Sequence, residues 1–269
     1  MKVYIQTDIE GVAGFCFFEN RQDPSIENYQ HRARMRKLLT GEVNAAVKAA
    51  FQAGADQVLV NDSHGSGYNI LFEELDERCQ IIHGRNCSGP HWLPLLEGSD
   101  ALIQVGMHAM GGTPCAITPH SLWQVNGSLY LSEGTMAAAI AGDLGIPTVF
   151  VSGDDKITAE FQEKIPGITA LAVKQALSPY QACSMIPARA CKLIEQQVFK
   201  ALTEKNVEPY RLSGPLTLTL LDSPGHVPPL KEVIPAVTAD TISEAFMNYE
   251  KAMDWTHFDL QVPDGFVFP

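Results

Sequence analysis

Apolar positions open the chain. "KVYIQTD" (2–8) carries Val3 and Ile5 and reads as a buried strand. It runs into two acids, Asp8 and Glu10, with one residue between them. Residues two apart on an extended chain point the same way, so the two carboxylates are expected to share one space. Close carboxylates repel, and such a pair calls for a positive charge between them. From Tyr29 to Ala53 there is no proline, and Leu39, Val43, Ala46, Val47 and Ala50 mark one face of a helix that Gly54 stops. "QVLVND" (57–62), "CQIIHG" (79–84), "ALIQVG" (101–106) and "PTVFVSG" (147–153) read as further strands, rich in β-branched residues or bounded by glycine or proline. "SLYLSEGTMAAAIAGDLG" (128–145) passes from a strand into an alanine-rich helix closed by Gly145, and "ITALAVKQ" (168–175) is another strand.

The pattern changes after about Ser178. A helix is predicted over Ala188–Thr203, with Ala190, Ile194, Val198 and Ala201 at helical spacing. "LTLTLLD" (216–222) is a strand, "SPGHVPPLKEVIP" (223–235) a proline-rich loop, and Thr241–Met253 a helix. The expectation is an α/β protein: a three-layer α/β/α catalytic domain with a largely parallel or mixed sheet over 1–180, and a smaller α+β domain over 181–269. The boundary falls within Ser178–Pro187.

Composition adds exclusions. A formal net charge of −12 argues against nucleic acid, whose phosphates would be repelled. No apolar run approaches the roughly 20 residues that span a bilayer. The N-terminal run is too short for a signal peptide, so a cytoplasmic protein is expected. The cysteines, Cys16, Cys79, Cys87, Cys115, Cys183 and Cys191, include no C-x-x-C pair, which fits free thiols in a reducing compartment.

In open α/β sheets, ligands bind beyond the carboxyl ends of the strands. The first strand ends at Asp8 and Glu10, the second at Asp62 and His64 in "NDSHG", and the "ALIQVG" strand at His108 in "GMHAMGG". His120 follows in "TPHS", Glu133 follows "SLYLS", and Asp154 and Asp155 follow "VFVSG". Carboxylates and imidazoles together suit a divalent metal. Taken singly, each has a structural alternative. Asp8 and Glu10 can cap a turn or pair with lysines, and His64 and His108 can be ordinary loop or core histidines. Glu133 can be a first-turn acid favoured by the helix dipole. Asp154 and Asp155 read as helix-start residues and stay outside the metal set. His31, His83, His91, His226 and His257 read as structural or surface residues.

Several motifs are absent. "HGSGYN" lacks the third glycine of a dinucleotide fingerprint, and there is no P-loop. Asp62, Ser63 and His64 are consecutive, so their side chains diverge and form no triad. Cys115 has no evident orienting partner as a nucleophile.

"DIEG" after the first strand, "VNDSH" after the second, "GMHA", "TP…HS", Glu133, "VSGDD" and "AVKQ" (172–175) together resemble the DppA-type D-aminopeptidases, peptidase family M55. The match runs in order over most of residues 1–190. The resemblance implies a zinc-dependent aminopeptidase with two metal ions per active site, acting on short peptides that begin with a D-residue such as D-Ala. It implies Asp8 as the shared ligand, Glu10, His64, His108 and Glu133 as the other ligands, and His120 as the catalytic histidine. It also implies a ring-shaped decamer with inward-facing sites. Two rivals use similar residues. A two-metal phosphoesterase would want cations near its phosphate, for which Arg85 and Lys156 are the nearest candidates. A metal-bearing peptide-binding protein would bind without turnover.

Overall fold

The computed structural model describes residues 1–17, 23–84, 93–204, 207–222, 231–232 and 235–252. Arg85, Cys87, His91, His226, His257 and most of the proline-rich stretch lie outside the described residues.

The chain opens with β1 (Lys2–Thr7), α1 (Ile26–Gln52), β2 (Gln57–Asp62), β3 (Gln80–Ile82) and β4 (Ala101–Met107). Then come β5 (Leu122–Val125), β6 (Leu129–Leu131), α2 (Glu133–Asp143), β7 (Thr148–Asp154) and α3 (Asp155–Lys164). β8 (Thr169–Ser178), β9 (Gln181–Ser184), α4 (Pro187–Glu204) and β10 (Leu216–Asp222) follow. The last described elements are β11 (Lys231–Glu232), β12 (Val237–Ala239) and α5 (Ile242–Ala252).

A seven-stranded sheet runs in the order β3-β2-β1-β4-β7-β8-β9. All its pairs are parallel except β8–β9. Side chains alternate across it. Val3, Ile5, Val58, Val60, Ile103 and Val105 pack with α1 and α4 residues such as Leu39, Val43, Ile194 and Val198. Tyr4, Leu59 and Leu102 pack on the other face with Met136, Ala137 and Ile140 of α2. The expected α/β architecture, a mostly parallel sheet flanked by helices, is borne out.

A second sheet, in the order β11-β10-β5-β6 with β12 also on β10, is antiparallel. It joins strands far apart in sequence: Leu218 of β10 sits opposite Val125 of β5. Conversely, β9 and α4 belong with the first sheet. The two sheets thus draw on both sides of the division expected near residue 180. The apolar stripe of α4 finds its partner in α1, and β10 completes a sheet begun by β5 and β6.

Helix ends follow their caps. Ser25 caps α1 by accepting from Asn28 N, which starts the helix at Ile26, three residues before the apolar face predicts. Ser132 and Thr135 form a capping box on α2 and so fix where Glu133 begins the helix. Among the described residues, no helix is long and apolar enough to cross a membrane.

Candidate metal centre

β1 is the switch point of the large sheet: β2 and β3 lie on one side of it, β4 and β7 on the other. A crevice at such a point is where α/β sheets bind ligands. The chain leaves β1 at Thr7 and turns at once. Asp8 and Glu10 therefore converge through a turn, not through strand alternation as the sequence pattern predicts. Asp8 N donates to Val105 O at 2.9 Å and Gly11 N to Gly106 O at 2.7 Å, which pins the turn against the end of β4. This close approach needs two glycines. A Cβ on Gly11 would stand 2.1 Å from Met107 O, and one on Gly106, whose φ is +78°, would stand 2.2 Å from Asp8 O.

All six residues singled out in the sequence meet here. His64 Nδ1 is 2.9 Å from Asp8 Oδ1 and 3.1 Å from Glu10 Oε2. His108 Nε2 is 3.5 Å from Asp8 Oδ2 and 3.5 Å from Glu133 Oε2. Ligand atoms fall into two groups, Asp8–Glu10–His64 and His108–His120–Glu133, each spanning no more than 4.8 Å. Asp8 faces both. The His120 ring stacks on that of His108, with centroids 3.8 Å apart and planes 15° from parallel.

Two of the three imidazoles are oriented from behind. His108 Nδ1 lies 2.9 Å from Ala109 O and His120 Nδ1 lies 2.8 Å from Thr118 O. A carbonyl can only accept, so both Nδ1 atoms carry hydrogen and both Nε2 atoms are the basic ones. Ser121 Oγ donates to Glu133 Oε1 at 2.6 Å. The loop bearing His120 is held by Gly111 N to Ser121 O, by Thr118 N to Pro179 O and by Ile117 N to Asp154 Oδ2.

In the metal-free protein, protons occupy this space. Burial, then the Glu10 carboxylate, pushes Asp8 up to about 7 against the pull of His64. Burial raises Glu10 too, yet the His64 ring wins and holds it well below the usual carboxylate range. Burial opposes charge on His108, but Glu133 and Asp8 outweigh it and carry His108 up to about 10. Burial also raises Glu133, and its His108 partner brings it down to about 2. His120 is lowered by burial and by the neighbouring positive His108. Asp8 Oδ2 and His108 Nε2 are buried and face each other at 3.5 Å, beyond a good hydrogen bond. Buried carboxylate oxygens and imidazole nitrogens converging on one space fit divalent metal ions, and the mixed N/O donor set suits zinc.

The remaining candidates are structural. Asp154 caps α3 by accepting from Lys156 N and Ile157 N. Asp62 accepts from Asn69 N, Asn69 Nδ2 and Ile70 N and so shapes the loop that carries His64. Ser63 Oγ donates to Thr7 O, pointing away from both neighbours as consecutive strand-end residues do. Lys156, a candidate phosphate partner, donates to Asp155 at 2.8 Å. Cys115 is exposed, with φ +54°. Ser121, Thr118 and the buried Lys174 are site-supporting residues that sequence reasoning passed over. "HS" and "AVKQ" were visible as motifs, but nothing local showed which partners they meet.

Carboxylates and imidazoles buried at the switch point of an α/β sheet define a metal-dependent hydrolase layout. The model of the family Peptidase_M55, D-aminopeptidase, matches residues 1–257, and the chain belongs to that family. It is 31% identical over 215 residues to a D-aminopeptidase of Bacillus subtilis (strain 168), covering 77% of this chain and 75% of that relative. It superposes with a TM-score of 0.81 on a solved structure described as the Zn-dependent D-aminopeptidase DppA from Bacillus subtilis, a self-compartmentalizing protease. That match has 26% identity and covers 95% of this chain and 98% of the other.

Proposed function

We propose that the protein is a zinc-dependent aminopeptidase that removes the N-terminal residue of short peptides beginning with a D-residue, D-Ala among them. The observation that carries the reading is the double exposure of Asp8, with one oxygen toward His64 and the other toward His108. Asp8 would be the ligand shared by two ions. Glu10 and His64 complete one set, and His108 and Glu133 the other. A shared carboxylate offsets the repulsion between ions roughly 3.5–4 Å apart.

When bound, zinc lowers the pKa of a coordinated water to about 7 and polarises a carbonyl. The chain's own residues supply the rest. His120 holds its Nδ1 proton on Thr118 O, which leaves Nε2 as the basic nitrogen. Burial opposes charge on the ring and so leaves that nitrogen ready to accept a proton. It then delivers that proton to the leaving amine, or holds it against the developing oxyanion. Ser121 keeps Glu133 turned toward His108 while this happens.

The family relationship supports a closed ring, a decamer with inward-facing sites, which admits only short or flexible peptides. The solved relative's self-compartmentalizing description agrees with this assembly. Five free cysteines among the described residues suit the reducing conditions of the cytoplasm. Handedness follows from attachment. With amine and carbonyl fixed, the side chain and the Cα hydrogen exchange places between D and L forms, and a wall that accepts hydrogen rejects a methyl.

The test compares kcat/KM of zinc-loaded protein on D-Ala amide, L-Ala amide and N-acetyl-D-Ala amide. D-Ala amide is expected to be well ahead of L-Ala amide, with the acetylated form inert because its amine is blocked. Equal rates for the enantiomers would remove the D-preference, and cleavage of the acetylated amide would remove the aminopeptidase assignment.

A further inference from the structure

Lys174 sits in β8 and is only 2% exposed, with the carboxylates of Asp154, Glu42 and Glu10 near enough to favour its charge against burial. Its ammonium donates to three backbone carbonyls, those of Glu10, Val12 at 2.9 Å and Phe15 at 2.8 Å. All three lie in the turn that brings Glu10 to His64. Glu42 of α1, 1% exposed and near enough to Lys174 to feel its charge, accepts from Ala13 N at 2.9 Å. The turn is thus gripped at four backbone positions by two buried charged side chains from α1 and β8.

Burying a lysine is costly, and an apolar residue in its place often serves stability equally well. A large return is needed for it to sit here. An ammonium has three donors and no acceptor, and here each donor ends on a different carbonyl. It acts as a fixed cation around which an irregular six-residue turn is folded. That turn carries one carboxylate, Glu10, and its end abuts the other, Asp8, whose position is separately pinned by Val105 O. Asp8 has its own anchor on β4 through Val105 O, whereas the Glu10–Gly11 peptide is held from two sides, its N–H by Gly106 O of β4 and its carbonyl by Lys174.

We propose that Lys174 is a positioning residue of the metal centre: by gathering the carbonyls of residues 10, 12 and 15 it sets Glu10 against His64, and so governs the affinity of the ion those two hold. The proposal rests on the two-metal reading above. It separates the two ions energetically. Loss of the clamp weakens the Glu10–His64 ion selectively, because His108 and Glu133 are held by Ala109 O and Ser121 instead.

The test is a cobalt(II) titration of zinc-free protein, followed by visible absorption and calorimetry, on wild type, Lys174→Met and Lys174→Arg. Circular dichroism and melting curves report the fold. Methionine keeps most of the length and removes the donors. Arginine keeps the charge, but its planar fork cannot bring three donors to one point. Wild type is expected to take up two equivalents. Each folded variant is expected to keep one equivalent at near wild-type affinity and bind the other roughly 10–100-fold more weakly, the usual consequence of losing a residue that orients a ligand. An unchanged two-step isotherm, equal weakening of both steps, or loss of fold in both variants would overturn the proposal. The last result would mean that Lys174 serves the core as a whole. No uptake by wild type would instead remove the two-metal reading, and this inference with it.

Discussion

Asp8 Oδ2 lies 3.5 Å from His108 Nε2, while the other oxygen of the same carboxylate faces His64 at 2.9 Å. A single side chain thereby joins two ligand groups delivered by the ends of β1, β2 and β4, the loop before β5 and the start of α2. Removing it should affect both ions at once. Asp8→Ala is expected to lower bound zinc below the roughly two equivalents of a dinuclear site and to abolish turnover. Metal analysis of dialysed protein beside an assay on D-Ala amide checks this. Full zinc content and activity in the variant would contradict the shared-ligand role.

His120 makes a different prediction although its ring lies against His108. Its position in the His108–Glu133 group is compatible with a ligand, and its bond to Thr118 O with a proton carrier. The account assigns the second role. His120→Ala is therefore expected to retain its zinc and lose roughly 10²–10⁴-fold in kcat, the scale of general acid–base catalysis. Parallel loss of metal and activity would make His120 a ligand.

Metal uptake should be strongly pH-dependent. Glu133 and Asp8, overcoming burial, keep His108 protonated up to about 10 in the metal-free protein. The ordinary value of 6.5 is raised, so the proton is present at neutral pH and must leave when an ion binds. Asp8, raised by burial to about 7, adds a second proton on the acid side. Zinc affinity should therefore rise with pH, about tenfold per unit for each proton displaced, and more steeply below about pH 7. Titrations at about pH 6 and about pH 8, together with proton release in weak buffer, measure it. Equal affinity at the two pH values with no proton release would contradict this assignment.

Much of this architecture is legible in the chain. β1, β2, β4 and β7 are fully buried through most of their length, so they appear as short apolar runs bounded by glycine or turn residues. Their parallel order puts their ends side by side, which is why Asp8, His64 and His108 stand out from strand ends alone. Glu133 shows because Ser132 and the alanine run mark the start of α2. β5 is only Leu122–Val125, and its main partner, β10, lies some ninety positions on, so no local pattern announces it. The same nonlocality hid the placement of α4, whose stripe shows that it packs but not on what. Lys174 is the sharpest case. A lysine within a strand ordinarily points to solvent, and the turn at residues 10–15 with the nearby carboxylates of Asp154 and Glu42, none of them local in sequence, makes burial favourable.

The most direct test of the dinuclear centre is anomalous diffraction at the zinc edge from crystals of the zinc-loaded protein. The account predicts two peaks, roughly 3.5–4 Å apart as in other two-metal sites. One should be in contact with Glu10 and His64, the other with His108 and Glu133, and an oxygen of Asp8 should touch each. A single peak, or two peaks without Asp8 between them, would contradict it.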